Sequence, residues 1–203
     1  QLEILVEPPI LIPRPETEEW TLSLIQQLKQ LNNQQINILD IATGSGCIAL
    51  ALVQAFPEST ILAADISQEA LSLAQKNAGH NNINTIFFII SDVFNQIPPS
   101  HKFDLIVSNP PYIREDDKNI SSSVLKYEPK TALFSSENGL FHIEKVLTDS
   151  KKVLKNDGLI FLEIGFDQKE AVEKLILKHF KNAKYEILKD INKKDRIVII
   201  NNI

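Results

Sequence analysis

From Ile36 onward the chain alternates between two periodicities. INILDIA, TILAADI, TIFFII, FDLIV and GLIFLEIG are short, nearly continuous apolar runs, and stretches with helical spacing lie between most of them. Runs that are apolar at successive positions are strands buried on both faces, and such strands need helices on each side of a parallel sheet. The spacing predicts helices over 15–31, 47–55, 68–78, 140–154 and 168–180. The first opens with Glu16, Glu18 and Glu19 and carries Trp20, Leu24, Ile25, Leu28 and Leu31 on one face. KYEILKDI and RIVIINNI, joined around Lys193-Lys194, read as an antiparallel pair at the edge of the sheet. Residues 114–138 read as a longer irregular stretch. At the front, LEILVEPPILIP places apolar runs on either side of Pro8-Pro9 and reads as a hairpin. The expected architecture is α/β, a mostly parallel seven-stranded sheet with an antiparallel C-terminal edge, preceded by a short β-hairpin.

The bulk properties narrow the function. A length of 203 residues suits one domain with a substantial core. No apolar run approaches the length of a membrane span. A net charge of -5 argues against a protein whose main partner is a phosphate backbone. Cys47 is the single cysteine, so no intrachain disulfide forms and a reducing compartment fits. The chain has no methionine, so Gln1 is not expected to be the natural start, and an upstream segment is expected to precede it. His80, His101, His142 and His179 show no metal-ligand spacing and read as surface or packing residues.

Parallel sheets bind ligands at the carboxyl ends of their strands, near the point where strand order reverses. After the first strand comes Asp40-Ile41-Ala42-Thr43-Gly44-Ser45-Gly46. Gly44 and Gly46 let a ligand approach the backbone, although such a turn also serves as a packing device. The phosphate loop would need Gly-Lys-Ser/Thr, and the dinucleotide fingerprint a third glycine where Ala49 stands. A glycine turn preceded by an acid suits a cationic ligand with an amino acid moiety. Asp65, ending the second strand, is placed to accept both hydroxyls of a ribose or else to cap the next helix, a task Ser67 does equally well. Asp92, after the third strand, is placed to accept from an adenine amino group. The fourth strand ends in Ser108-Asn109-Pro110-Pro111-Tyr112. The prolines stop the ladder, and alone they read as a strand terminator.

Taken together, these strand ends resemble those of the class I S-adenosylmethionine-dependent methyltransferases, with a Rossmann-like fold. In that superfamily Asn/Asp-Pro-Pro-Tyr/Phe marks enzymes that methylate a planar nitrogen. Ile12-Pro13-Arg14-Pro15-Glu16-Thr17-Glu18, Tyr127-Glu128-Pro129, Ala132-Leu133, Asn138-Gly139-Leu140, Leu162-Glu163-Ile164-Gly165 with Gln168, and Asp195-Arg196 further resemble the release-factor glutamine methyltransferase family. The resemblance covers essentially the whole chain. It implies a β-hairpin over 1–15, the remnant of a link to a helical domain, and a catalytic domain over 16–203.

The same resemblance implies that Asp40, Ala42, Thr43, Gly44, Ser45, Gly46, Asp65, Ile66, Asp92, Val93 and Asn109 bind S-adenosylmethionine. Asn109, Pro110, Pro111 and Tyr112 would hold the substrate, with Asn109, Pro110 and Tyr112 acting in catalysis and no metal involved. Two departures stand out: Ala42, where the family often has glycine, and Val93, where some members have an aromatic ring. Arg14 and Glu16 have either an active-site role or a helix-start salt bridge. The implied substrate is the Gly-Gly-Gln loop of a class I peptide chain release factor, met by a monomer without stable nucleic-acid or membrane binding. The rivals are a DNA or RNA adenine methyltransferase, a non-catalytic binding subunit and a dinucleotide oxidoreductase. The mitochondrial matrix, favoured slightly by Lys/Asn/Ile-rich composition, and a bacterial cytoplasm are both open.

Overall fold

A computed structural model of the protein describes residues 2–30 and 35–201. The elements run α1 (Pro15–Gln30), β1 (Asn37–Ile41), α2 (Cys47–Ala55), β2 (Thr60–Asp65), α3 (Gln68–His80), β3 (Ile86–Ile90) and β4 (Phe103–Ser108). The connection after β4 holds β5 (Ile113–Arg114), α4 (Ser122–Tyr127), α5 (Lys130–Leu133), β6 (Phe134–Ser135) and α6 (Ser136–Gly139). Then come α7 (Phe141–Ser150), β7 (Leu154–Glu163), α8 (Lys169–His179), β8 (Lys184–Lys189) and β9 (Asp195–Asn201).

The main sheet has seven strands in the order β3-β2-β1-β4-β7-β9-β8. The first five in that order are parallel, and β9 runs antiparallel to both β7 and β8. Each continuous apolar run feeds both faces, because successive side chains leave a strand on opposite sides. Ile38, Leu105, Val107 and Phe161 pack with Trp20, Leu24, Leu50 and Leu52 of α1 and α2. Their neighbours Leu39, Ile106 and Ile160 pack with Ile143, Leu147, Val172 and Ile176 of α7 and α8. Each such buried side chain contributes about 1.5–3 kcal/mol of transfer free energy.

The helices follow local chemistry. Pro15 opens α1, where its missing N–H is no loss, and Glu16 and Glu18 complement the helix dipole. Ser67 caps α3 by accepting from the Ala70 N–H at 3.1 Å. The expected end of α1 at Leu31 lies outside the described residues, as do the last two residues of the final strand. Helix α7 stops at Ser150, earlier than its spacing predicts, because Leu154 is drawn into the sheet beside Phe103 ahead of a register shift.

The expected β-hairpin is corrected. Residues 7–10 turn, but no strand is formed between 2 and 14. The backbone there bonds instead to two asparagine side chains one turn apart, one on α3 and one at its C-terminal cap. Leu5 donates to Asn77 Oδ1 at 2.7 Å and accepts from Asn77 Nδ2 at 3.1 Å. Glu3 makes the same pair with Asn81, at 3.0 and 2.8 Å. Two carboxamides thus do what a partner strand would do.

Candidate active site

Strand order reverses between β1 and β4, which lie side by side while their chain continuations leave in opposite directions. At their carboxyl ends the structure opens a cavity of about 480 Å³. Its wall contains Ala42 and Gly44 from the turn after β1, Asp65 and Ile66 after β2, and Asp92 and Val93 after β3. Asn109, Pro110 and Pro111 close it from β4. Seven of the eleven residues expected to bind the cofactor, and three of the four expected to hold the substrate, therefore share one wall.

The rest of the expected set lies behind that wall. Asp40 is fully buried; its Oδ2 accepts from Thr43 Oγ1 at 2.6 Å, and its Oδ1 has no partner. Burial, followed by the nearby Asp65 charge, pushes the Asp40 carboxyl up to about 7. Ser45 is buried, and its carbonyl accepts from Asn77 Nδ2 at 2.9 Å. One asparagine therefore ties both the N-terminal segment and the glycine turn to α3.

The two glycines of the turn differ in purpose. A Cβ on Gly44, at φ +56°, would meet nothing within 4 Å, so the backbone here faces open space. A Cβ on Gly46 would lie 3.0 Å from the Ala74 Cβ, so this glycine serves the packing of the turn against α3. Ala42 (φ 59°) and Val93 (φ 51°) also occupy the left-handed region. The family's usual glycine at the first position has a steric reason, and Val93 is a strained β-branched residue in the cavity wall.

Asp65 is free to face a ligand because Ser67 does the capping. Its oxygens accept from the Gly44 and Ser67 N–H groups, each at 2.9 Å, and burial raises its pKa. Each oxygen keeps a second lone pair. Asp92 is exposed and accepts from Asn95 Nδ2 at 3.1 Å. His142, expected as an ordinary surface or packing residue, stands on the cavity wall, with Nδ1 2.8 Å from Ser135 Oγ. Burial lowers its pKa, which favours the neutral ring.

Tyr112 does not line the cavity; it lies on a neighbouring depression of about 440 Å³ shared with Arg196. Its hydroxyl donates to Glu163 Oε1 at 3.0 Å, and burial drives its pKa upward. Gln168 Nε2 donates to the Tyr112 carbonyl at 2.9 Å, while Gln168 Oε1 accepts from Gly165 N at 2.8 Å. Gly139 is required beneath this turn, since a Cβ would come within 2.2 Å of the Tyr112 carbonyl oxygen. Arg14, immediately before α1, makes a salt bridge at the helix start, and its partner comes from a distant part of the chain. Arg14 donates to both oxygens of the buried Glu128, at 2.7 and 2.6 Å, and Glu16 accepts from Asn192 Nδ2 at 3.2 Å. The Pro-Arg-Pro and Tyr-Glu-Pro motifs are thus joined by an ion pair.

Burial pushes the Cys47 thiol up to about 12, which disfavours the thiolate. Among the described residues no helix is long and apolar enough to cross a membrane.

A seven-stranded sheet of this order with acids, a glycine turn and Asn-Pro-Pro-Tyr at its reversal point defines a class I methyltransferase, and the family model described as Methyltransferase small domain matches residues 16–132. The fold is similar to a methyltransferase from Pyrococcus furiosus, with a TM-score of 0.69, 18% identity and coverage of 99% of this chain and 89% of that one. Within that class the sequence is 44% identical over 200 residues to the release factor glutamine methyltransferase of Streptococcus pneumoniae, covering 98% of this chain and 70% of that protein. It is 43% identical over 201 residues to the one from Lactococcus lactis, covering 98% and 72%. The chain belongs to the release factor glutamine methyltransferase family. Both relatives are bacterial, which leaves the mitochondrial expectation without support.

Proposed function

We propose that the protein transfers a methyl group from S-adenosylmethionine to the side-chain amide nitrogen of the glutamine in the Gly-Gly-Gln loop of a class I peptide chain release factor. The observation that carries this reading is the single wall that holds Asp65, Gly44, Asp92 and Asn109 together at the strand reversal, in a chain of this family.

The residues fit the cofactor. The space over Gly44 admits its amino acid portion, and the buried Asp40 carboxyl, with an Oδ1 that has no protein partner, lies behind that turn. Asp65 has lone pairs left for the ribose hydroxyls, and Asp92 stands where an adenine amino group can donate. Ile66 and Val93 supply apolar surface beside the base. When bound, S-adenosylmethionine supplies a methyl group activated by a sulfonium.

The chain's own residues must deal with a poor nucleophile, because an amide nitrogen shares its lone pair with its carbonyl. The Asn109 side-chain oxygen and the Pro110 backbone carbonyl accept the two N–H bonds of the target amide. That orients the nitrogen and stabilises the positive charge it develops. Pro110 has no N–H and a fixed φ, which keeps its carbonyl aimed. The nitrogen becomes far more acidic after transfer and then gives up its proton, so no strong base is needed beforehand. A monomer meeting its substrate transiently, without stable nucleic-acid binding, fits the net charge of -5. Adenine methylation is not favoured, since the relatives carry the glutamine activity in their names along 98% of this chain.

The test is transfer of labelled methyl to a class I release factor, beside a factor with Gln→Ala in its Gly-Gly-Gln loop and an adenine-containing duplex. Label confined to the unaltered factor supports the reading; label on the duplex overturns it.

A further inference from the structure

We infer that Thr17 and Glu163 are positioning residues that fix which way the Asn109 carboxamide points. This inference rests on the amide-methylating reading above. Neither residue lines the cavity that holds Asn109. Glu163 ends β7 and is 1% exposed, and Thr17, on α1, is 3% exposed.

With Glu163 ionised, the bonds have only one consistent direction. Glu163 Oε2 accepts from Thr17 Oγ1 and from Trp20 Nε1, both at 2.7 Å. The indole N–H can only donate, and a buried carboxylate needs such donors. Thr17 has one hydroxyl proton and has placed it on Glu163. Toward Asn109 its oxygen can therefore only accept, and Asn109 Nδ2 lies 3.1 Å from it. A carboxamide that presents its NH₂ to Thr17 must present Oδ1 on the opposite side. There the oxygen is free of any protein donor among the described residues and able to accept a substrate N–H.

An amide that donates into a hydroxyl already bonded to an anion also becomes a stronger acceptor at its oxygen, because linked hydrogen bonds polarise one another. The other oxygen of Glu163 accepts from Tyr112 Oη at 3.0 Å. One carboxylate therefore pins both ends of the Asn-Pro-Pro-Tyr turn.

Without the Thr17 hydroxyl, Asn109 can rotate by half a turn and present N–H groups to the substrate N–H, which removes the clamp. Such a loss falls on the transition state rather than on ground-state binding. The experiment compares wild type, Thr17→Val and Thr17→Ser in steady-state methyl transfer to the release factor, with cofactor binding measured separately. Thr17→Val should lower kcat about a hundredfold. KM for the factor and cofactor affinity should stay close to wild type, and Thr17→Ser, which keeps the hydroxyl, should restore most of kcat. Should the valine variant not bind cofactor, Thr17→Ala removes the hydroxyl without adding a methyl against the carboxylate, and the same result is expected. A hydroxyl-free variant with wild-type kcat, a serine variant as slow as valine, or loss of cofactor binding in both hydroxyl-free variants overturns the inference while wild type still methylates the factor. If wild type itself transfers no methyl to the factor, the substrate reading falls and takes the positioning role with it.

Discussion

At the scale of single residues, the site separates groups that face the ligand from groups that hold them. Asn109→Ala removes a proposed acceptor from the transition state and should cost about 10²–10³ in kcat, while equilibrium dialysis with S-adenosylmethionine still shows binding. Asp40 leads to a prediction about pH. The folded protein keeps its proton up to about pH 7, whereas an unstrained aspartate releases it near 3.8. Between those values the folded state binds more protons than the unfolded chain, so the contribution of Asp40 to stability is full below that window and falls as pH rises through it. Asp65 and Glu163, also pushed up by burial, act with the same sign. Thermal unfolding of the ligand-free protein from pH 5 to 8 should show a falling Tm, and Asp40→Asn should flatten the slope. The acid before the glycine turn was legible from its place at a strand end. That place also allows a buried acid beside loop groups, and the structure buries it completely, bonded to the Thr43 hydroxyl.

At the scale of elements, side chains of one helix order backbone that belongs to none. Asn77 is fully buried and bonds Leu5 twice and the Ser45 carbonyl once. Asn77→Leu leaves those groups unpaired and should cost about 2–3 kcal/mol, lowering Tm by roughly 5–10 °C. Proteolysis should then cut first between residues 2 and 14, and cofactor affinity should weaken as the glycine turn loosens. An unchanged cleavage pattern would mean that the N-terminal segment is held by its apolar contacts alone. The hairpin expectation failed here for a physical reason. Alternating apolar residues around a turn satisfy the side-chain pattern of a hairpin, but the backbone bonds wherever donors and acceptors stand, and α3 supplies them.

At the scale of the whole molecule, the site is assembled from segments far apart in the chain. Arg14 and Glu128 are 114 residues apart, and the Glu128 side chain is only 4% exposed. Arg14→Met leaves that carboxylate buried and unpaired, and should cost about 2 kcal/mol, allowing for the partly exposed guanidinium. Chemical denaturation of Arg14→Met, Glu128→Gln and the double variant should show the double losing less than the sum of the singles. Strand and helix order, the parallel core with its antiparallel edge, and the chemistry at each strand end were determined by the sequence by itself, because each depends on residues within one or two turns of one another. Position at a strand end is also enough to mark Gly44, Asp65, Asp92 and Asn109. Only the tertiary structure decided which of them share a wall, that Tyr112 turns away to Glu163, and that Thr17 meets a carboxylate 146 residues later in the chain. Such pairings have no local signature: a hydroxyl on a helix face carries the same code whether it meets water or a buried anion, and packing alone makes the choice.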